Sequence, residues 1–409
     1  MRKFLAAATS ALALAAFAQP ALADTVSDWW EVGARLQPAG APGTPEQQRA
    51  VSRAALAMFE AVNAIDRRYE SYLNFPIGDP RASQSAAAAT AAFKVLVQHL
   101  PQHKAVLEES YALTMAGIPN GSAKDVGRLI GEKAAEAAMT AGGVDPAIPT
   151  TYYRPVTTRP GQWVPTALPS IESYTYAYRP WAIPSVEALR PPPPPAMTSE
   201  VWARDYDEVR RLGSKTSTER TLEQTLIARY RQAFDITPSL RLAAEAPGRR
   251  MVQNARMFAI YQMAFDDAAM AMAAAKAHYD YWRPITAIRN AADDGNPATQ
   301  PDLTWTPLLP TPNFAEYPCG HCVVAGAIAE VMSAEVGERP AQGVRVNSLI
   351  APNAATQVLP SWGEWSDQVS DSRMYGGVHF RFSNQAGEDQ GRRAARYVLD
   401  KVMRPLPER

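Results

Sequence analysis

Apolar residues recur at three- and four-residue spacing along most of this chain, and that period restricts it to helices packed on helices. Thr44-Pro45-Glu-Gln47 has the residues of a helix start, with Thr as N-cap and Pro in the first turn. Val51, Ala55, Met58, Phe59, Val62 and Ile65 then fall on one helical face. Residues 83–100, 103–116 and 123–140 continue the pattern. Further helices are expected over 198–212, 217–234, 249–278, 284–291, 320–335 and 384–402. Leu, Met, Ala, Glu and Arg dominate, and long alternating strand patterns are absent. The expected class is all-α, as two stacked four-helix-type bundles.

One segment breaks the pattern. Residues 142–195 are rich in Pro, Tyr and Trp and end in the run Pro191 to Pro195. Such a stretch is irregular or polyproline chain and too long for an ordinary loop. Its aromatics Trp163, Tyr174, Tyr176, Tyr178 and Trp181 are expected to pack over helices, either as a strap across the bundle or as a wall of a site. The N-terminus has the form of a secretory signal over residues 1–23. Arg2 and Lys3 precede an Ala/Leu-rich core, and Ala21-Leu22-Ala23 offers a cleavage site. The rest, 24–409, is expected to be one exported domain, periplasmic or secreted, without a membrane span.

Lys+Arg and Asp+Glu both number 41, so no global field favours nucleic acid, and an anion must be held by a local cluster. Both cysteines lie in Cys319-Gly-His-Cys322, which leaves a local disulfide, a redox pair or two free thiols. Three late stretches concentrate the basic groups. In Lys276-Ala-His-Tyr-Asp-Tyr-Trp-Arg283-Pro284, two cations seven residues apart are expected on one helix face. In Tyr317-Pro-Cys-Gly-His321, Pro318 and Gly320 precede an apolar helix, whose first-turn N–H groups would face an anion with His321 beside them. In Ser372-Arg373-Met-Tyr-Gly-Gly-Val-His379-Phe-Arg381, Arg373 offers a planar fork. His379 offers a ring nitrogen for attack on phosphorus or ligation of vanadium. His99 and His103 lie in the early helical region, apart from the clustered cations, and are expected to be structural, and His278 has no role.

Together the stretches resemble the superfamily that joins vanadium-dependent haloperoxidases with type 2 phosphatidic acid phosphatases and bacterial acid phosphatases. Its motifs match at Lys276, Arg283 and Pro284; at Pro318, Gly320 and His321; and at Ser372, Arg373 and His379. Cys319 stands where the family has Ser, and Ser383 where it has Asp. Tyr281-Trp282-Arg283-Pro284 and Gly377-Val-His-Phe-Arg-Phe382 look more like the haloperoxidase branch, as does Phe314. Asp235 is a looser match to a carboxylate that supports Arg373.

The resemblance implies an oxyanion-binding core over 249–404. His379 would hold vanadate through nitrogen, as the only protein ligand to the metal. Lys276, Arg283, Cys319, Gly320, His321 and Arg373 would surround its oxygens. His321 would handle protons and Lys276 would polarise peroxide, with halide as the second substrate. The alternative is an acid phosphatase acting on phosphate esters through a phosphohistidine on His379. A second alternative is a non-catalytic binder of phosphate or vanadate. An orienting partner for His379 is expected from Asn384 or a distant acid.

Overall fold

The alanine-rich early segments form the helices that their periodicity predicts, in a computed structural model that describes residues 24–36, 45–143, 159–166, 178–351 and 355–407. The expected signal segment, Thr44, Tyr174 and Tyr176 lie outside the described residues. The first group is α1 (Thr25–Arg35), α2 (Pro45–Ile65), α3 (Gln84–His99), α4 (Lys104–Ala116) and α5 (Ser122–Ala138). Ser83 caps α3 by accepting from Ala86 N at 3.2 Å. The small side chains Ala86 to Ala89, Ala91 and Ala92 are buried, which lets α2 and α5 approach α3 closely.

The second group is α6 (Glu200–Leu212), α7 (Leu222–Tyr230), α8 (Thr237–Ala244), α9 (Met251–Tyr279), α10 (Pro284–Arg289), α11 (Gly320–Val336), α12 (Trp362–Tyr375) and α13 (Arg381–Lys401). Helix α9 has buried apolar residues on every side, as a helix with neighbours all round must, and also buries Asp266, Asp267 and Lys276. It packs on α1 and α2 in one direction and on α11 and α13 in the other. One hydrophobic cluster runs from α2 and α3 through α9 to α11, α12 and α13. A second, aromatic cluster of Trp202, Tyr281, Trp282, Tyr317, Phe380 and Phe382 lies around the segments that carry the basic residues.

Three short strands, β1 (Phe234–Asp235), β2 (Val344–Ser348) and β3 (Gln357–Leu359), form one antiparallel sheet in the order β1-β2-β3. Phe234 faces Ser348, and Val344 faces Leu359. Helices α1, α8 and α12 were not expected from the sequence pattern. Helix α7 is shorter than the expected 217–234, because a capping box between Thr221 and Gln224 starts it late.

The described parts of the aromatic segment pack on α9 and on the chain beyond it. Asp267 accepts from the N–H groups of Trp181, Ala182 and Ile183 at 2.7–3.0 Å, and Asp266 accepts from the Trp181 indole at 2.8 Å. The Arg49 guanidinium lies over the Trp181 ring at 4.6 Å. Further along, Tyr279 and Tyr317 donate to the carbonyls of Pro191 and Pro192. Trp163 N donates to Asp280 O, and Trp282 N donates to Gly161 O. The segment therefore both covers α9 and abuts the stretch between Lys276 and Arg283.

Candidate oxyanion site

Lys276 and Arg283 do not share a helix face. Helix α9 ends at Tyr279, and Asp280 takes a left-handed conformation with φ 44°. Asp is one of the few residues that tolerates this. Tyr281 then bridges to Gln162, and Arg283 is the extended N-cap residue of α10. The two cations still meet, both against one aromatic ring. Lys276 Nζ is 5.3 Å and Arg283 Cζ 4.8 Å from the Phe314 centroid.

The segment 314–318 fixes both. Lys276 Nζ donates to the carbonyls of Ala315 (2.9 Å), Glu316 (2.7 Å) and Pro318 (2.5 Å). An ammonium has three N–H groups, so this one is saturated. Burial and then Arg283 push the Lys276 pKa well below the usual lysine range, while three carbonyl acceptors favour its charged form. Arg283 donates through Nε to Phe314 O and through Nη1 to Val378 O, both at 2.9 Å.

Helix α11 begins as the sequence predicts, directly after Pro318. Its N-cap is Cys319, whose Sγ accepts from Cys322 N at 3.3 Å. Cys319 and Cys322 form a disulfide. A disulfide sulfur has no S–H, so Cys319 offers an oxyanion no side-chain donor, contrary to the Ser-like role expected for it. The N–H groups of Gly320 and His321, free of intrahelical partners by their place in the first turn, remain available. His321 Nε2 lies 3.0 Å from Gln232 O. A carbonyl only accepts, so Nε2 carries the proton and Nδ1 keeps its lone pair. Burial, then Arg373, hold the His321 pKa down to about 3, so the ring is neutral at ordinary pH.

Arg373 lies in the last turn of α12, and His379 follows in the turn that leads to α13. Gly377 permits that turn: its φ is 75°, and an added Cβ would stand 2.4 Å from Gly213 O. His379 is buried between two partners. Arg283 Nη1 is 2.9 Å from Nε2, and Glu316 Oε1 is 2.8 Å from Nδ1. Arginine can only donate, so Nε2 presents a lone pair and Nδ1 carries the hydrogen. Burial, then Arg283 and Lys276, keep the ring's pKa well below its usual value.

Glu316 was absent from the residues singled out in the sequence. It is the distant acid expected as an alternative to Asn384, whose amide instead donates to Ser370 O. Burial raises the Glu316 pKa to about 7, opposed by Arg283 and Lys276.

Two buried cations, Lys276 and Arg283, thus act on the buried Glu316 carboxylate, and a third, Arg373, is buried near Arg283. Burial lowers Arg283 to about 9 and Arg373 to about 10. Arg283 Nη2 and Arg373 Nε and Nη1 are buried with no hydrogen-bond partner among the described residues. Unpaired buried donors are costly, and a bound oxyanion would satisfy them. No group of three His, Cys, Asp or Glu among the described residues is placed to hold a metal cation. Asp235 does not hydrogen-bond Arg373 here; its carboxylate accepts from Thr237 N and Asn347 Nδ2. Far from the site, His99 has a cationic neighbour, Arg53 at 3.5 Å.

The family model of the VCPO second helical-bundle domain matches residues 256–408, which include all three motif stretches. Over most of the chain the fold is that of solved vanadium-dependent haloperoxidases. A bacterial vanadium-dependent iodoperoxidase superposes with a TM-score of 0.72 at 22% identity, covering 94% of this chain and 96% of that one. A bacterial vanadium-dependent chloroperoxidase in its holo form gives 0.67 at 18% identity, covering 90% and 96%. Its apo form gives 0.64 at 16%, covering 89% and 95%. No curated protein matches the chain by sequence.

Proposed function

We propose that this protein is an exported vanadate-dependent haloperoxidase, oxidising halide with hydrogen peroxide. The observation that carries the reading is a buried, unprotonated His379 Nε2 that meets only Arg283 Nη1, close to guanidinium donors of Arg283 and Arg373 that lack partners among the described residues. His379 Nε2 would hold the vanadate. Arg283 Nη2, Arg373 and the N–H groups of Gly320 and His321 would bind its oxygens. Bound vanadate supplies a Lewis-acidic centre that activates peroxide toward halide. The chain supplies the rest. The guanidinium charges offset negative charge, α11 orients its first-turn N–H groups, and neutral His321 can accept a proton at Nδ1. Export would follow cleavage near Ala23.

The same groups suit phosphate, so the experiment is a pair of assays on purified protein. One supplies vanadate, peroxide and iodide, bromide or chloride with a halogenation-sensitive dye. The other supplies a chromogenic phosphate ester. Halide oxidation that depends on added vanadate is expected. Phosphate release without halide oxidation would replace this reading with the phosphohistidine one, and silence in both would favour a binding protein.

Lys276 differs from the other cations, because its donors are all consumed by the backbone of 315–318. It acts through its charge and by holding that segment. Lys276→Met should therefore cost about 3 kcal/mol of stability, since it leaves buried carbonyls unpaired. Chemical denaturation measures this. An unchanged midpoint with turnover lost would instead place Lys276 on the substrate.

A further inference from the structure

His379 needs a partner at Nδ1, and the position where the resemblance puts one, four residues on, holds Ser383. The other acids close to this turn are engaged elsewhere. Asp205 accepts from Phe382 N and Arg204, while Glu208 and Asp371 bind Arg381. Glu316 alone is shown on the ring. Its Oε1 accepts from His379 Nδ1 at 2.8 Å and from Phe380 N at 3.1 Å. One carboxylate oxygen thus grips both the imidazole and the backbone beside it. The backbone around Glu316 is held in turn by Lys276 and Arg283.

We infer that Glu316 is the positioning residue of this site: delivered by the loop before α11, it grips His379 at Nδ1–H, while Arg283 Nη1 meets the unprotonated Nε2. Ser383 and Glu316 are then an exchanged pair. A carboxylate has moved from the start of α13 to the loop 314–318, and a small hydroxyl occupies the vacated place. An aspartate at 383 beside Glu316 would set two buried carboxylates against each other, which disfavours both charges. The arrangement ties the histidine to the loop that also carries the carbonyl cradle of Lys276. Anything that moves the loop moves the nucleophilic or ligating nitrogen with it.

The inference rests on the oxyanion-site reading only through its ligand, and the test separates the two. Long-range 1H–15N correlation spectra of the His379 ring, taken without ligand, should show hydrogen on Nδ1 in the wild-type protein. Glu316→Gln keeps the shape and an acceptor oxygen but not the charge, so the tautomer, which Arg283 also enforces at Nε2, should persist while the Nδ1 proton moves upfield as its hydrogen bond weakens. The variant should also bind inorganic vanadate about 10- to 100-fold more weakly, the usual effect of removing a partner behind a ligating histidine. Adding Ser383→Asp to Glu316→Gln should restore at least tenfold of that affinity. A Glu316→Gln variant with the wild-type Nδ1 proton shift and the wild-type affinity would overturn the inference. Failure of the double variant to regain affinity while melting like Glu316→Gln would overturn the exchange of positions. Should the wild-type protein bind no vanadate, the functional reading falls, while the spectra still decide the role of Glu316.

Discussion

His379→Ala is expected to abolish turnover, by at least about 10³-fold, in whichever of the two assays the wild-type protein is active. The size follows from the geometry. His379 Nε2 is unprotonated and meets Arg283 Nη1, with Lys276 and Arg373 also acting on the ring, while His321 Nε2 is committed to the Gln232 carbonyl. No other described histidine lies among these groups: His99 is beside Arg53 and His278 is exposed. The variant leaves Glu316 Oε1 with Phe380 N, so part of its hydrogen bonding survives and the fold should persist. Circular dichroism and melting, run beside the assay, check this. Turnover close to wild type in a folded His379→Ala protein would remove the site assignment altogether.

Gly391→Ala carries the largest expected loss of stability. Helices α11 and α13 cross so closely that a Cβ at Gly391 would stand 1.9 Å from Val323 O and 2.8 Å from Ala327 N. Both neighbours are helix backbone and cannot swing aside as a side chain would. Relief requires the two helices to part. Overpacking of this kind costs about 3 kcal/mol or more, enough to lower the melting temperature by about 5 °C or more. The consequence reaches function, because Cys319 N donates to Ser383 O at the site end of the same helix pair. Parting the helices should weaken anion binding as well as folding. A Gly391→Ala protein that melts like wild type would show that the crossing is looser than described.

The helices with continuous apolar periodicity were legible in the sequence: α2, α3, α4, α5, α9 and α11 lie within a few residues of their expected spans. Helix α12 was not, because its apolar stripe of Trp362, Trp365 and Val369 is short, and Ser366, Ser370, Ser372 and Arg373 make up much of the rest of its buried face. Its start signal was available in Ser361 and Glu364, where the serine side chain accepts from Glu364 N. The site was legible as a set of residues but not as an arrangement. The spacing of Lys276 and Arg283 fitted one helix face. The break at Asp280 depends on pairing with residues 161–163, a tertiary contact that no local pattern announces. Glu316 was hidden for the same reason. It lies 63 residues from His379, inside a Pro-rich loop whose composition marks only a turn. Cys319 and Ser383, the two departures from the family pattern, point to where the structure is rearranged. The first closes a disulfide with Cys322, and the second lies beside Glu316.

The central claim is that three separated stretches build one pocket for a tetrahedral oxyanion on His379. Equilibrium titration of the purified protein with inorganic vanadate, repeated in the presence of phosphate, tests it most directly. One equivalent of vanadate should bind, phosphate should compete for the same site, and the Arg373→Ala protein should bind at least about tenfold more weakly. No saturable binding, or binding indifferent both to phosphate and to the loss of Arg373, would contradict the account.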